Sequence, residues 1–534
     1  MRRLITITLV VVGLLMLTRL YSNFKISAAP VPPGVTLGGV DVAGIKDPDE
    51  IQATVERAFA DPIAVYYGTD RVILRPQDVD FQVDVPGMLT DAAAYLEGNA
   101  FVEIALRYAL SLDQRPHDVP LRYSVDRAKL TAWLQTVADT YNRPPASARA
   151  LPPGQAWAGD ASAETVESGA VPGGYVGEVF DDWRWVAGTP GYTLDMQASL
   201  APLAATLASP TDRVAHLALI ETPPPALAMT DLARALNQYL LDFPGLGSVY
   251  VEDLGETATQ GQTAEVDPDV SFSGMSTMKI GIVSALFQRM DGVENADIGQ
   301  WMDYALGESS NFAANLMLRW LGDGDIYAGA RAFTQFAREL GMPNTFMQTG
   351  YDDNGNLAQI PTPGNSREDW NTDPDTHIQS TPREMGEFLS AIYRCSLGEG
   401  LYFEIFPADF TPDECETILF YMTHDTFREL VWAGLPDKNS VWLVHKHGFA
   451  NETHSDVALI WGPTGPYVIS VFLYRPGWMD WSTSNNAMKA LSRITWRFFE
   501  FKAQQEGVTP PPPPQLTPPP NYIPVPLAQP VAPG

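Results

Sequence analysis

Hydrophobic and polar positions alternate in two distinct textures along this chain. From Gly34 to Thr222 the apolar runs are short. Gly34-Val35-Thr36-Leu37-Gly38-Gly39-Val40-Asp41-Val42 alternates as a strand, and Asp47-Pro48-Asp49-Glu50 signals a helix start before helical spacing over residues 51–60. Two strand-like runs, residues 63–67 and 71–74, meet at Gly68-Thr69-Asp70. Phe81-Gln82-Val83-Asp84 leads into a helix over residues 88–96, a strand at 121–125 precedes a helix over 127–141, and Tyr192-Thr193-Leu194-Asp195 leads into a helix over 197–207. The same aromatic, aliphatic and Asp sequence before a helix thus recurs at Phe81 and Tyr192, which predicts two related α+β units. Residues 214–220 read as a closing strand, and Pro223-Pro224-Pro225 as a linker.

Beyond Met229 the elements lengthen. A helix from 229 to 241 and a strand from 248 to 254 precede Phe272-Ser273-Gly274-Met275-Ser276-Thr277-Met278-Lys279-Ile280, which opens a helix whose continuation through Phe287 is apolar on nearly every side. Such a helix belongs in the middle of a domain. Helices follow around 300–304, 311–321 and 327–340. Residues 340–381 form a long loop, a length that usually marks a functional segment. After helices at 382–393 and 414–423 come strands at 441–446, 456–461 and 467–474, then a long helix from 481 to 501. One strand, several helices and then consecutive strands predict an α+β fold with a mostly antiparallel sheet.

Composition changes this picture in three ways. At 534 residues the chain holds several domains, and the hydrophobic fraction of 45% suffices for sizeable cores. The formal charge of −30 excludes nucleic acid and anionic membrane surfaces as partners. The two cysteines, Cys395 and Cys415, are close enough in sequence to form a disulfide in an oxidising compartment, with two buried thiols as the alternative.

The ends of the chain carry their own signals. Met1-Arg2-Arg3 followed by the apolar residues 4–17 has the form of an export signal. The run is short for a membrane span, yet reaches anchoring length if extended to Phe24, and Ser27-Ala28-Ala29 offers a cleavage site. A cleaved signal and a membrane anchor, with the cytoplasmic membrane as partner, both stay open for residues 1–29; either way the bulk of the chain is expected outside the cytoplasm. From Gly507 to 534 proline dominates, predicting an extended, disordered tail without a core.

The chemistry gathers around Ser276. A serine at a helix N-terminus has free backbone N–H groups beside its hydroxyl, placed to hold a developing oxyanion. Lys279, one turn on, shares its helix face, and a desolvated lysine has a lowered pKa and can take the serine's proton. Ser-x-x-Lys alone proves little, since Ser22-Asn23-Phe24-Lys25 also fits. Ser276 has company, however: Ser309-Ser310-Asn311 at the entry of a helix, and Lys446-His447-Gly448 on a strand. The order nucleophile, Ser-x-Asn, Lys-x-Gly is that of penicillin-recognising serine enzymes.

Those motifs, with Ser380-Thr381-Pro382-Arg383-Glu384-Met385 and Gly434-Leu435-Pro436, make residues 228–502 resemble class A β-lactamases. The resemblance implies an α/β/α sandwich with an antiparallel sheet and a helical lobe, and a serine hydrolase. Ser276 would be the acylated nucleophile, Lys279 its base, and Ser309 a proton relay. Asn311 would contact the lysine or the substrate amide, and Lys446 the substrate carboxylate. The backbone beside Gly448, through Phe449 N–H together with Ser276 N–H, would form the oxyanion hole. No cofactor or metal is implied. His445 and His447 share one strand face with His454 nearby, but two surface histidines without an acidic partner do not make a zinc site. Ser309 and Ser310 also read as simple helix caps, and Lys446 as an exposed edge charge.

Departures accompany the match. Ser310 stands for the usual aspartate, and His447 for the usual hydroxyl residue. The loop before Ser380 holds no Glu-x-x-x-Asn, the pattern that positions a deacylating water. The span from Ser276 to Ser309 is also short for the family.

Residues 32–222 resemble the proposed peptidoglycan-binding domain of vancomycin-resistance-associated wall proteins, through Pro33-Gly34-Val35-Thr36-Leu37-Gly38-Gly39-Val40-Asp41-Val42-Ala43-Gly44-Ile45 and the strand–Asp–helix unit from Phe81. A spacer that holds the C-terminal domain away from a membrane is the alternative. The expectation is an exported β-lactamase-like serine hydrolase acting on β-lactam or peptidoglycan amide bonds. The alternative is a wall-binding protein whose hydrolase domain no longer turns over.

Overall fold

The computed structural model describes residues 6–8, 10–18, 30–31, 34–96, 103–104, 107, 115–154, 182–256, 259–290, 292, 296–353, 355–436, 440–520 and 522–524. The positive start at Met1-Arg2-Arg3, the Ser27-Ala28-Ala29 cleavage site and the tail beyond residue 524 lie outside these. Among the described residues no helix is long and apolar enough to cross a membrane. The chain divides into two compact units, Met1–Ala146 with Ala158–Val176 and Thr189–Pro225, and Ser147–Trp157 with Gly177–Gly188 and Ala226–Gly534.

The first unit contains two hydrophobic cores, one around Val35, Ile51, Val55, Phe59 and Met88, the other around Ile63, Val65, Leu130, Leu134 and Leu203. The Asp residues that precede its helices cap them. Asp126 accepts from the amides of Ala128 and Lys129, and Asp195 from that of Ala198. Asp84 Oδ1 accepts from Gly87 N. Each carboxylate satisfies a donor that has no partner within its helix, and its charge suits the positive helix end. The predicted closing strand is two strands, Val214–His216 and Leu219–Thr222, which pair with different partners.

In the second unit, five strands, β1 (Leu246–Asp253), β2 (Thr263–Val266), β3 (Leu443–Phe449), β4 (Thr453–Gly462) and β5 (Gly465–Tyr474), form one antiparallel sheet in the order β2-β1-β5-β4-β3. Alternation along β4 divides the core. Val457 and Leu459 face one hydrophobic cluster, Ala458 and Ile460 the other. The second cluster is closed by α1 (Met229–Leu240) and the long C-terminal helix α9 (Trp481–Glu506). The first is closed by α2 (Met278–Phe287), α3 (Ala296–Leu306), α4 (Asn311–Leu321), α5 (Ile326–Glu339), α6 (Pro382–Ser396), α7 (Leu401–Ile405) and α8 (Pro412–Met422). This is an α+β fold with helices on both faces of an antiparallel sheet. Every residue of α2 is buried, as its all-apolar pattern predicts.

Three features were not legible in the apolar pattern. A two-stranded ribbon, Arg149–Leu151 with Arg184–Val186, belongs to the second unit although it lies within the stretch read as N-terminal. Its Trp185 packs edge-on against Phe498 and donates to Ile494 O on α9. The proline-rich segment is extended, as predicted, but not free of core contacts. Trp461 Nε1 donates to Pro511 O at 2.7 Å, and the Tyr522 ring meets Phe420, Tyr421 and His424. Finally, β2 is a sheet-edge strand whose alternation, Thr263-Ala264-Glu265-Val266, spans too few residues to stand out. The expected disulfide is present: Cys395 on α6 is bonded to Cys415 on α8.

Candidate active site

Ser276 lies in a 3₁₀ turn, Met275–Thr277, that runs straight into α2. The turn is unusually constrained. Met275 has φ +50°, a conformation that disfavours side chains with a Cβ, and its carbonyl accepts from Tyr351 Oη at 2.9 Å. Gly274 N donates to Ile378 O, which fixes the chain entering the turn. Strained backbone held by its surroundings is common where a side chain must be presented at a site.

One turn along, Lys279 is fully buried. Its ammonium nitrogen lies 2.6 Å from Ser276 Oγ, 2.8 Å from Ser309 O, 2.9 Å from Asn311 Oδ1 and 3.5 Å from Ser309 Oγ. It also sits 4.5 Å from the centroid of the Tyr351 ring. Burial, and then the charge of Lys446, push the Lys279 pKa down to about 6, against a smaller upward pull from Asp352. At neutral pH this favours the unprotonated amine, the form that can accept a proton from the hydroxyl beside it.

The adjacent serines divide the two roles read from the sequence. Ser310 caps α4, its Oγ accepting from Ala313 N. Ser309, at φ +58°, turns its carbonyl onto Lys279. Asn311 accepts from the lysine and donates through Nδ2 to Asp352 Oδ1 at 3.0 Å. Ser276, Lys279, Ser309 and Asn311 thus form one hydrogen-bonded group.

The strand motif approaches from β3. A Cβ on Gly448 would stand 3.1 Å from Ser276 N and 2.9 Å from Met275 Cβ, so only glycine lets the strand backbone lie this close to the serine turn. Phe449 is 42% exposed and packs against Trp481, Phe427 and His454. Lys446 is not the exposed edge charge that was one alternative for it; it is fully buried. It donates to His447 O at 3.1 Å and lies 4.0 Å from Asp425 Oδ2, with no hydrogen bond to the serine–lysine group. Burial lowers its pKa, opposed by Asp425 and Asp456.

His445 and His447 are likewise buried rather than on the surface, and they do have acidic neighbours. His445 Nδ1 faces Asp456 Oδ1 at 2.9 Å, and His447 Nδ1 lies 3.2 Å from Asp425 Oδ2. His454 is bonded instead to Ser484.

Residues missed by motif reading complete the site. Asn315, one turn beyond Asn311, clamps the loop from α5 by accepting from Tyr351 N and donating to Tyr351 O. This clamp places Asp352 beside Asn311. A search for Glu-x-x-x-Asn passes over Asp352, although the Gly350-Tyr351-Asp352-Asp353 cluster at the start of the long loop was a visible signal. Asp425 follows α8 with no local pattern to mark it. Further out, Ser380 bonds Thr345, Thr381 caps α6, and Arg383 forms a two-point pair with Glu265, so the Ser-Thr-Pro-Arg segment braces the loop and sheet rather than entering the serine–lysine group. Glu368 is exposed.

Comparison with known proteins is consistent with this geometry at the family level. The profile described as "Beta-lactamase enzyme family" matches residues 293–499. That segment contains Ser309, Asn311, Lys446, Gly448 and Phe449, and begins after Ser276 and Lys279. Among solved structures, a β-lactamase from Xanthomonas campestris pv. campestris is 18% identical, aligned over 51% of this chain and 99% of its own, with a TM-score of 0.39. The class A β-lactamase of the last common ancestor of Gram-negative bacteria is 21% identical over 49% and 97%, with a TM-score of 0.37. A β-lactamase from Desulfarculus baarsii is 19% identical over 51% and 98%, with a TM-score of 0.38. No curated protein matches the chain. The family match is confined to residues 293–499, within the second unit, and supports a β-lactamase-like domain there.

Proposed function

We propose that this protein is an exported serine hydrolase that forms an acyl-enzyme at Ser276, on β-lactam or cell-wall peptide amide bonds. The observation that carries the proposal is the 2.6 Å approach of Lys279 Nζ to Ser276 Oγ by a lysine whose pKa is pushed down to about 6. In the acylation step Lys279 takes the hydroxyl proton as Oγ bonds to the substrate carbonyl carbon. The oxyanion that develops is held by backbone N–H of Ser276 and Phe449, and the leaving nitrogen takes a proton relayed through Ser309. Lys446 in its charged form would attract a substrate carboxylate.

Release of the acyl group is the slower half. Asp352 is the loop carboxylate beside the group, and its Oδ1 is engaged by Asn311 Nδ2. That observation favours a long-lived acyl-enzyme over rapid antibiotic destruction. Export rests on the positive start and apolar run of residues 1–17, and a wall-binding role for the first unit rests on the Pro33–Ile45 motif.

Labelling with a fluorescent penicillin tests the proposal. The wild type is expected to form a covalent adduct that Ser276→Ala does not. No adduct on the wild type, or equal labelling of Ser276→Ala, rejects it. Steady-state nitrocefin hydrolysis then measures turnover, and retention of the full chain on purified peptidoglycan tests wall binding.

A further inference from the structure

We propose that Asp425, His445 and His447 form a binding site for one divalent transition-metal ion of the zinc type, built into the strand that carries Lys446. The proposal goes beyond the hydrolase reading and does not depend on it.

The two histidines lie two positions apart on β3 and so share a face of the strand. Asp425, just after α8, is carried onto that face. One ligand atom from each residue lies within 4.8 Å of the others. Asp425 Oδ2 is 3.2 Å from His447 Nδ1, and Asp425 Oδ1 is 3.7 Å from His445 Nε2. Ligands about 2.0 Å from a tetrahedral zinc stand roughly 3.3 Å apart, so a triad whose ligand atoms lie within 4.8 Å of one another has to draw in by about 1.5 Å at most.

Burial makes the arrangement demanding. Asp425 is 3% exposed, His445 1% and His447 8%. Yet Asp425 Oδ2, His445 Nε2 and His447 Nδ1, the very atoms that face one another, have no hydrogen-bond partner. Buried polar atoms without partners are destabilising, and three that lie within 4.8 Å of one another share one remedy, an ion they can all ligate. A proton does not serve all three atoms in its place: it can bridge His447 Nδ1 and Asp425 Oδ2 at 3.2 Å, but 3.7 Å from His445 Nε2 to Asp425 Oδ1 is too long for a hydrogen bond. Nor does Lys446, which stands 4.0 Å from Asp425 and spends its bond on His447 O.

The surroundings orient the ligands. Asp456 accepts from His445 Nδ1, so the neutral ring carries its proton there and turns the Nε2 lone pair into the gap. Asp456 is itself fixed by Val431 N, at 3.1 Å. A carboxylate behind a histidine in this way is the usual outer support of a zinc ligand. Trp432 meets the His445 ring edge-on at 5.4 Å, and Phe427 covers His447 at 4.3 Å. Two imidazoles and a carboxylate suit zinc better than calcium or magnesium, with the fourth position left to water.

Cobalt titration of the untagged full chain, first stripped with a chelator, reads the site directly. One equivalent of Co²⁺ is expected to bring up the visible bands of a tetrahedral complex, and Zn²⁺ to abolish them. Asp425→Asn and His447→Gln are each expected to abolish the bands at one equivalent. Asp456→Asn, which keeps all three ligands, should weaken binding by roughly 10–100-fold. Circular dichroism on each variant separates loss of the site from loss of the fold. The proposal is overturned if the folded wild type shows no bands, or if folded ligand variants bind as the wild type does.

Discussion

Lys279 holds Ser276 Oγ at 2.6 Å while no carboxylate among the described residues bonds to its ammonium. All its partners are neutral oxygens, so burial is not offset by a paired negative charge. This is the environment that the proposed role of Lys279 as a base requires.

The first prediction is a pH profile. The rate of penicillin labelling should rise with pH through about 6, as Lys279 loses its proton, and then level off. The same group acts on stability with a definite sign. Its folded pKa lies below the unfolded value of 10.5, so between about 6 and 10.5 the unfolded chain binds a proton that the folded chain does not. Through that window Lys279 contributes a rise in stability with pH of about 1.4 kcal/mol per unit. Comparing the pH dependence of denaturant midpoints for wild type and Lys279→Met isolates the term, and parallel curves would contradict it.

Asp352 provides an internal check. Its charge pulls the Lys279 pKa upward, so Asp352→Asn should move the labelling limb to lower pH. The shift should be small, because Asp352 is exposed and screened by solvent. A limb that moves to higher pH would mean that Asp352 touches the lysine in some other way.

Gly448→Ala tests the approach of the strand to the serine turn. The added methyl would stand 2.9 Å from Met275 Cβ and 3.1 Å from Ser276 N, so the turn or the strand must move. Displacing the nucleophile and its oxyanion donors by a fraction of an ångström should slow labelling by roughly 10–100-fold. Thermal unfolding should change little in comparison, since β3 keeps its full ladder with β4.

How far the sequence speaks depends on the range of the interaction. Ser276 and Lys279 are one helical turn apart, and local geometry alone predicts their contact. Strand β5 and the second half of β4 show nearly continuous apolar runs because both faces are covered, and they are readable for that reason. Asp425 meets His445 across a tertiary fold, with no periodicity in either segment to announce it. The histidines read as surface residues for a related reason: alternation identifies a strand but does not say which polar positions a neighbouring loop will bury. Trp185 shows the same limit at domain scale. Its ribbon joins the second unit through packing on α9, while its place in the chain suggests the first. The tail reads as proline-rich and extended, but the docking of Tyr522 depends on a cleft between aromatic side chains that composition does not encode.

The last prediction concerns the disulfide. Cys395 and Cys415 are separated by 20 residues and join α6 to α8, and both sulfurs lie inside the core. Closing a loop of that length restricts the unfolded chain, and in the chain-entropy account it stabilises by about 3 kcal/mol. Replacing both cysteines by alanine leaves the surrounding hydrophobic packing nearly intact, so most of the loss should come from the freed unfolded state. The double variant should therefore show a lower denaturant midpoint together with a steeper transition, because a longer free chain exposes more surface on unfolding. A midpoint that falls with no change in slope would instead assign the effect to native packing. Neither cysteine contacts the serine–lysine group, so penicillin labelling of Ser276 should persist well below the transition. Loss of labelling under those conditions would show that the α6–α8 link also sets the geometry of α2.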